Sequence, residues 1–281
     1  MDPAPGLVVV GHLTLDINEG GYLLGGAAYA ALTAARLGYH VGLLTSYGPD
    51  LQPEVLLEDV SIVCQPAPTS TVFRNVYRNG RREQTVVSQA LPLDRSHIPS
   101  SWQGAPVLLA PMMGEVGPDF LDAFLRSQMG ACPQGWMRQT LRGGRVTPAP
   151  WTWAGEGLGK LDCLVLSVDD LEGNTALASG WASSVTCLVL TRGGEGVWLY
   201  YKGACQHVPP FPPARVVDPT GAGDAFASAF MLEWIESGSP ELAARFASMV
   251  ASCVVEAKGL EGVPSRERVN EMRRQLKFEV N

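Results

Sequence analysis

The chain has 281 residues, a net charge of −7, and 17% charged against 46% hydrophobic residues. That length and apolar content fit one large α/β domain with a sizeable core and no long disordered stretch. The acidic balance, without a basic stripe, argues against nucleic acid as a partner, so an anionic ligand would need a local positive site.

Leu7-Val8-Val9-Val10 reads as a buried strand. Residues Leu24 to Gly38 read as a glycine turn at Gly25-Gly26, a helix of small residues and a glycine stop. Val41 to Ser46 is a second strand, and strand–helix–strand order implies a parallel sheet with helices on its faces. Val107 to Ala110 continues as a strand and Phe120 to Leu125 as a helix. Cys163 to Leu166 and Cys187 to Leu190 are further buried strands. The last third is helical over Ala222 to Glu236, Pro240 to Ala257 and Arg266 to Leu276, with Ser265 as the N-cap of the final helix.

One segment breaks this order. Thr71 to Arg78 and Arg81 to Val87 are two β-rich arms around Asn79-Gly80, a hairpin signal. A two-residue turn sets Asn75 opposite Gln84 and Tyr77 opposite Arg82, on one face with Phe73. The other face carries Val72, Arg74, Val76, Arg78, Arg81 and Glu83. This ribbon, inserted over 69–89, reads either as a lid over a site or as an ordinary solvated hairpin.

Six cysteines (Cys64, Cys132, Cys163, Cys187, Cys205, Cys253) are scattered without a CxxC pair, and there are four histidines, so neither a disulfide framework nor a zinc site is expected. No basic leader opens the sequence and no apolar run reaches membrane-spanning length, which gives a cytoplasmic expectation with no membrane partner.

The chemistry concentrates in Val217-Asp218-Pro219-Thr220-Gly221-Ala222-Gly223-Asp224-Ala225-Phe226. A glycine-rich turn opening a helix aims several N–H groups at one spot, which binds anions. Asp224 at that spot reads as a base beside a reacting phosphoryl group, with the N–H groups of Ala222, Gly223 and Asp224 stabilising its charge. The competing reading of Asp224 is a helix cap, which the whole string disfavours, and as free-standing residues Asp218 and Thr220 read as turn formers. Asp16 follows the first strand, where ligands gather on a parallel sheet.

The string Asp-Pro-Thr-Gly-Ala-Gly-Asp-Ala-Phe resembles the C-terminal signature of the ribokinase-like (PfkB-type) carbohydrate kinases, and the likeness extends from Gly11 to about Pro264. The resemblance implies a single domain over 1–281, a three-layer α/β sandwich with a central mainly parallel sheet and a small β lid. The short run from Asp16 to Gly25 implies a reduced lid built mainly from the hairpin at 71–87, which makes the protein a monomer or a homodimer. It implies Asp224 as general base and the Gly221-Ala222-Gly223 turn as anion hole. Asp16, Gly25 and Gly26 are the implied acceptor contacts, with Asn75 and Gln84 added from the lid. Thr14 stands where relatives often carry Asn, and Ala27, Ala28 and Tyr29 replace a more polar pattern, which weakens ribose as the acceptor.

Thr191-Arg192-Gly193-Gly194-Glu195-Gly196-Val197 resembles the nucleotide segment, so Thr191, Gly193 and Gly196, with Thr220, are implied to meet ATP. Ser167-Val168-Asp169-Asp170 falls where the family has Asn-x-x-Glu, leaving Asp170 as an indirect Mg²⁺ contact. The loop of Asp218 and Thr220 is implied to meet a monovalent cation. Gln134-Gly135-Trp136-Met137-Arg138 also has the family's character, without a role for Arg138. The expected activity is ATP-dependent phosphorylation of a hydroxyl on a sugar, an inositol or a similar polyol. A nucleoside kinase, with Phe73 and Tyr77 stacking on a base, and a catalytically silent sugar- or nucleotide-binding module are the alternatives.

Overall fold

A computed structural model describes residues 4–18, 21–78, 81–124 and 126–280; Asn79-Gly80 and Leu125 lie outside them. In chain order the N-terminal half runs β1 (Leu7–Val10), β2 (Leu13–Asn18), β3 (Gly21–Gly26), α1 (Ala27–Leu37), β4 (Val41–Tyr47), β5 (Val60–Pro66), β6 (Thr71–Arg78) and β7 (Arg81–Ser88). It continues with β8 (Val107–Leu109), α2 (Phe120–Ala123), β9 (Met129–Ala131), β10 (Arg138–Thr140), β11 (Val146–Pro148) and α3 (Ala154–Gly157). The C-terminal half holds β12 (Cys163–Ser167), α4 (Thr175–Trp181), β13 (Cys187–Thr191), β14 (Val197–Tyr201), β15 (Ala204–Val208), α5 (Ala222–Ser237), α6 (Pro240–Val254) and α7 (Arg266–Val280).

Nine strands form one sheet in the order β15-β14-β13-β12-β9-β8-β1-β4-β5. The seven from β13 to β5 are parallel, and β14 and β15 add an antiparallel edge. Apolar runs such as Leu7-Val8-Val9-Val10 have no alternation because both faces are covered. Leu7, Val9, Val165 and Val189 pack into the core under α1, α5, α6 and α7. Val8, Val10, Leu164 and Leu188 point the other way, into a core shared with α2, α3 and α4. These are the three layers expected from the sequence. The small residues of α1 let it lie close to α5, where the buried Ser228 hydroxyl donates to the Ala30 carbonyl at 2.9 Å.

A separate four-stranded sheet runs β3-β2-β6-β7. Its β6–β7 pair has the expected register, with Asn75 opposite Gln84 and Tyr77 opposite Arg82. The other half corrects the sequence reading. Leu13–Asn18 and Gly21–Gly26 pair antiparallel, so the sheet is not built mainly from 71–87, and Gly25-Gly26 end a strand instead of forming a turn. Helix α1 therefore starts at Ala27. The signal was present: Leu13, Leu15 and Ile17 alternate with Thr14 and Asp16, the period of a strand with one wet face. Helix α6 also ends earlier than expected, at Val254.

Candidate active site

The carboxyl ends of the parallel strands carry the loops in which the sequence-predicted residues gather. Gly221 is the N-cap of α5, with φ 77°, a backbone that favours glycine. A Cβ there would overlap the Tyr29 ring. The first intrahelical bond runs from the Ala225 N–H to the Gly221 carbonyl at 3.0 Å, so the N–H groups of Gly223 and Asp224 precede it. A Cβ on Gly223 would meet nothing within 4 Å, so the space over the turn is open. Asp224 is half-buried in the first turn of α5. Asp218 accepts the Thr220 N–H at 3.0 Å, folding the loop before the turn.

Asp16 lies on β2 and is 8% exposed. Its Oδ1 accepts from the Asn75 amide on β6 at 3.3 Å, and the Asn75 Oδ1 accepts from the Gln84 amide on β7 at 3.0 Å. Gln84 Oε1 in turn accepts from the Arg138 guanidinium at 3.3 Å. Gly25 passes directly beside Asp16: a Cβ would overlap Asp16 Oδ2 and stand 2.9 Å from the Thr14 hydroxyl oxygen. Gly26 has φ 64°, and a Cβ there would overlap the His12 carbonyl. Both glycines are thus required by the close packing of β3 on β2.

Thr191 ends β13 opposite Ser167 on β12. Gly193 and Gly196 follow with φ 52° and 86°, in a tight turn leading into β14. Asp170 Oδ2 accepts the Ser167 N–H and hydroxyl, each at 2.8 Å, while Oδ1 accepts the Gln134 amide at 3.0 Å. Among the described residues no three of His, Cys, Asp and Glu group closely enough to hold a metal ion.

Two side chains that the sequence reading left out join these parts. Tyr29, on α1 and 1% exposed, is pushed above the ordinary tyrosine range by burial and then by the negative charges of Asp218, Asp16 and Asp224. The Cys132 thiol, after β9, is pushed up by burial and then by Asp224 and Asp170. Carboxylates dispersed through the sequence thus share neighbours, Asp218, Asp16 and Asp224 acting on Tyr29, and Asp224 and Asp170 on Cys132. No local pattern announces Tyr29 or Cys132, since each resembles a core residue in its own segment.

A third omission fixes the frame. Glu115, 1% exposed, accepts the N–H groups of His12 at 3.0 Å, Met112 at 2.8 Å and Met113 at 2.7 Å. It ties together the loops after β1 and β8. The His12 ring lies between the Thr71 hydroxyl and the Leu91 carbonyl, each at 2.8 Å. A carbonyl only accepts, so Nε2 carries a proton and donates it to Leu91. The contact with Thr71 joins the large sheet to the small one. Phe73 is 1% exposed, so its ring is committed to packing and not presented for stacking; the Tyr77 side chain lies outside the described residues.

Residues 164–266 match the pfkB family carbohydrate kinase model. Cytidine kinase from Thermococcus kodakarensis is 29% identical over 261 residues, covering 80% of this chain and 87% of that one. Ribokinase from Bacillus subtilis is 40% identical over 86 residues, 30% of this chain and 29% of that one. Among solved structures, the nucleoside kinase of Methanocaldococcus jannaschii superposes with a TM-score of 0.74 at 19% identity, covering 98% of this chain and all of that one (100%). A pyrophosphate-dependent kinase in the ribokinase family, complexed with a pyrophosphate analog and myo-inositol, gives 0.77 at 21% identity over 94% and 99%.

The fold and the family match define a kinase of ribokinase fold, a phosphotransferase with an alcohol group as acceptor. Residues 164–266 thus carry the pfkB family carbohydrate kinase match, within a chain that is similar along most of its length to kinases of this fold.

Proposed function

We propose that the protein transfers a phosphoryl group from ATP to a hydroxyl of a small polyol such as a sugar or an inositol. The observation that carries this reading is the open glycine turn at the start of α5, with Asp224 in the first turn and Gly221 against the Tyr29 ring, whose phenol the charges of Asp218, Asp16 and Asp224 also reach. A hydroxyl held by Asp16 and a phosphate held at the turn would meet there.

Asp224 takes the proton of the acceptor hydroxyl as its oxygen attacks phosphorus; the P–O bond to the leaving ADP breaks. The N–H groups of Gly223 and Asp224 and the positive end of α5 stabilise the charge on the transferred group. The open space over Gly223 fits a phosphate. Mg²⁺, when bound with the donor, would supply further charge neutralisation. Asp170 is suited to hold one of its waters, and the Asp218–Thr220 loop to hold a monovalent cation. On this reading Thr191, Gly193, Gly196 and Thr220 are assigned to ATP, and Asp16, Asn75 and Gln84 to the acceptor.

The relative named cytidine kinase supports a second reading, in which the acceptor hydroxyl belongs to a nucleoside. Both readings are tested by ADP release from ATP over sugars, inositols and nucleosides, with phosphate release measured where pyrophosphate replaces ATP. The expected result is turnover on a polyol, reduced about 10²–10⁴-fold in Asp224→Asn with acceptor binding retained. Equal turnover in the variant would remove Asp224 from the base role. A flat response over the whole panel, with binding intact, would favour a silent binding module.

A further inference from the structure

We propose that Arg138 is a positioning residue that sets the polarity of a hydrogen-bond chain ending on Asp16. The inference deepens the reading above and rests on Asp16 taking an acceptor hydroxyl. Four residues on β10, β7, β6 and β2 form the chain: Arg138 donates to Gln84, Gln84 to Asn75, and Asn75 to Asp16, at 3.3, 3.0 and 3.3 Å. The ends are chemically one-sided. A guanidinium only donates and a carboxylate only accepts. Each amide between them can face only one way: Gln84 must turn its oxygen to Arg138, and Asn75 must turn its oxygen to Gln84. Three aligned bonds also polarise one another.

Without the donor-only end, the Gln84 amide has no reason to keep that orientation. Asn75 can then turn with it, and the Asp16 carboxylate loses the Asn75 donor. Arg138 itself is held from behind. Trp136, two residues earlier, is buried, stacks on Trp151 at 4.8 Å and donates its indole N–H to the Val116 carbonyl at 2.7 Å. Gly135 lies so close to the Pro111 backbone that a Cβ would overlap it. Gln134 reaches the other way, to Asp170. Residues 134–138 thus span from the donor side to the acceptor side, with Arg138 at the acceptor end. The class of acceptor this favours presents several hydroxyl groups, each both donor and acceptor, to the row of oriented amides.

Gln84→Glu separates polarity from simple bridging. It leaves Arg138 an ion-pair partner but removes the donor to Asn75, forcing that amide to reverse and turn its oxygen toward Asp16. The expected result is an acceptor KM raised about tenfold, the worth of one hydrogen bond to a charged group. ATP KM and thermal midpoint should stay unchanged. Arg138→Leu should give the same acceptor defect, and Arg138→Lys, which keeps a donor-only end, should recover part of it. An acceptor-free arm follows the side-chain amide signals of Gln84 and Asn75 by ¹H–¹⁵N NMR in the unliganded protein. Arg138→Leu should move both; movement of Gln84 alone would overturn the chain. A Gln84→Glu enzyme with wild-type acceptor KM would overturn the positioning role while leaving the kinase reading intact. If the wild type phosphorylates nothing, the kinase reading fails and the NMR arm still decides the polarity.

Discussion

Two glycines in one turn serve different ends, and alanine tells them apart. At Gly221, φ is 77° and a Cβ would overlap the Tyr29 ring. Gly221→Ala therefore meets a left-handed backbone costing about 1–2 kcal/mol and a displaced tyrosine besides. Lower stability and lost turnover should appear together. At Gly223 a Cβ meets nothing, and the residue is in the first turn of α5. Gly223→Ala should hold or raise the thermal midpoint, since alanine is the better helix former by about 1 kcal/mol. It should still raise the donor KM and lower kcat, because the methyl group enters the space assigned to phosphate. Full activity in Gly223→Ala would remove the turn from the donor site. Asp224 and its glycines were legible in the sequence because their chemistry is local to one short string. Tyr29 was not: its meaning arises from three carboxylates brought to it by other elements.

Among the elements, the segment from Pro133 to Arg138 shows how packing sets a polar side chain. Its anchor is an aromatic cluster in which Trp136 meets Trp151 at 4.8 Å and Trp153 at 4.7 Å. Trp136 and Trp151 are both buried, but only the Trp136 indole N–H has a partner among the described residues. Trp136→Phe and Trp151→Phe remove similar volume, yet the first also leaves the Val116 carbonyl unpaired. Urea unfolding should show Trp136→Phe as the more destabilising, by about 1–3 kcal/mol. Equal losses would mean that the hydrogen bond contributes nothing. The same scale explains why half of the small sheet escaped the sequence reading. β6 and β7 carry an Asn-Gly turn between them, whereas β2 and β3 are joined through Glu19-Gly20 beside Gly21, a weaker turn signal between two shorter runs. Gly25-Gly26 looked like a turn because glycine in a strand is uncommon; here it is required by the crowding of Asp16 and the His12 carbonyl.

Across the whole molecule, three tyrosines tie neighbouring elements together and make stability fall in alkali. Tyr29 joins α1 to the turn before α5, Tyr39 donates to Glu236 on α5, and Tyr47 at the end of β4 donates to Glu54 at 2.8 Å. All three phenols are pushed above their ordinary value of 10.0. Burial is the first cause in each; neighbouring carboxylates add to it, through Asp218, Asp16 and Asp224 at Tyr29, Glu236 at Tyr39 and Glu54 at Tyr47. The sign follows from linkage. In the folded state the phenols keep their protons to higher pH than in the unfolded chain. Below pH 10 the two states hold the same phenolic protons, so these groups leave stability flat. As pH rises past 10, the unfolded chain releases protons first, and stability declines toward the raised folded values. The thermal midpoint should therefore fall steeply above pH 10. Tyr29→Phe should make that fall shallower while leaving the midpoint near pH 8 little changed, since the ring still packs on Gly221. A slope identical to wild type would mean that the Tyr29 phenol ionises as freely in the folded protein as in the unfolded one. It would also undercut the reach of the Asp16, Asp218 and Asp224 charges to that hydroxyl, one part of the observation on which the transfer site rests.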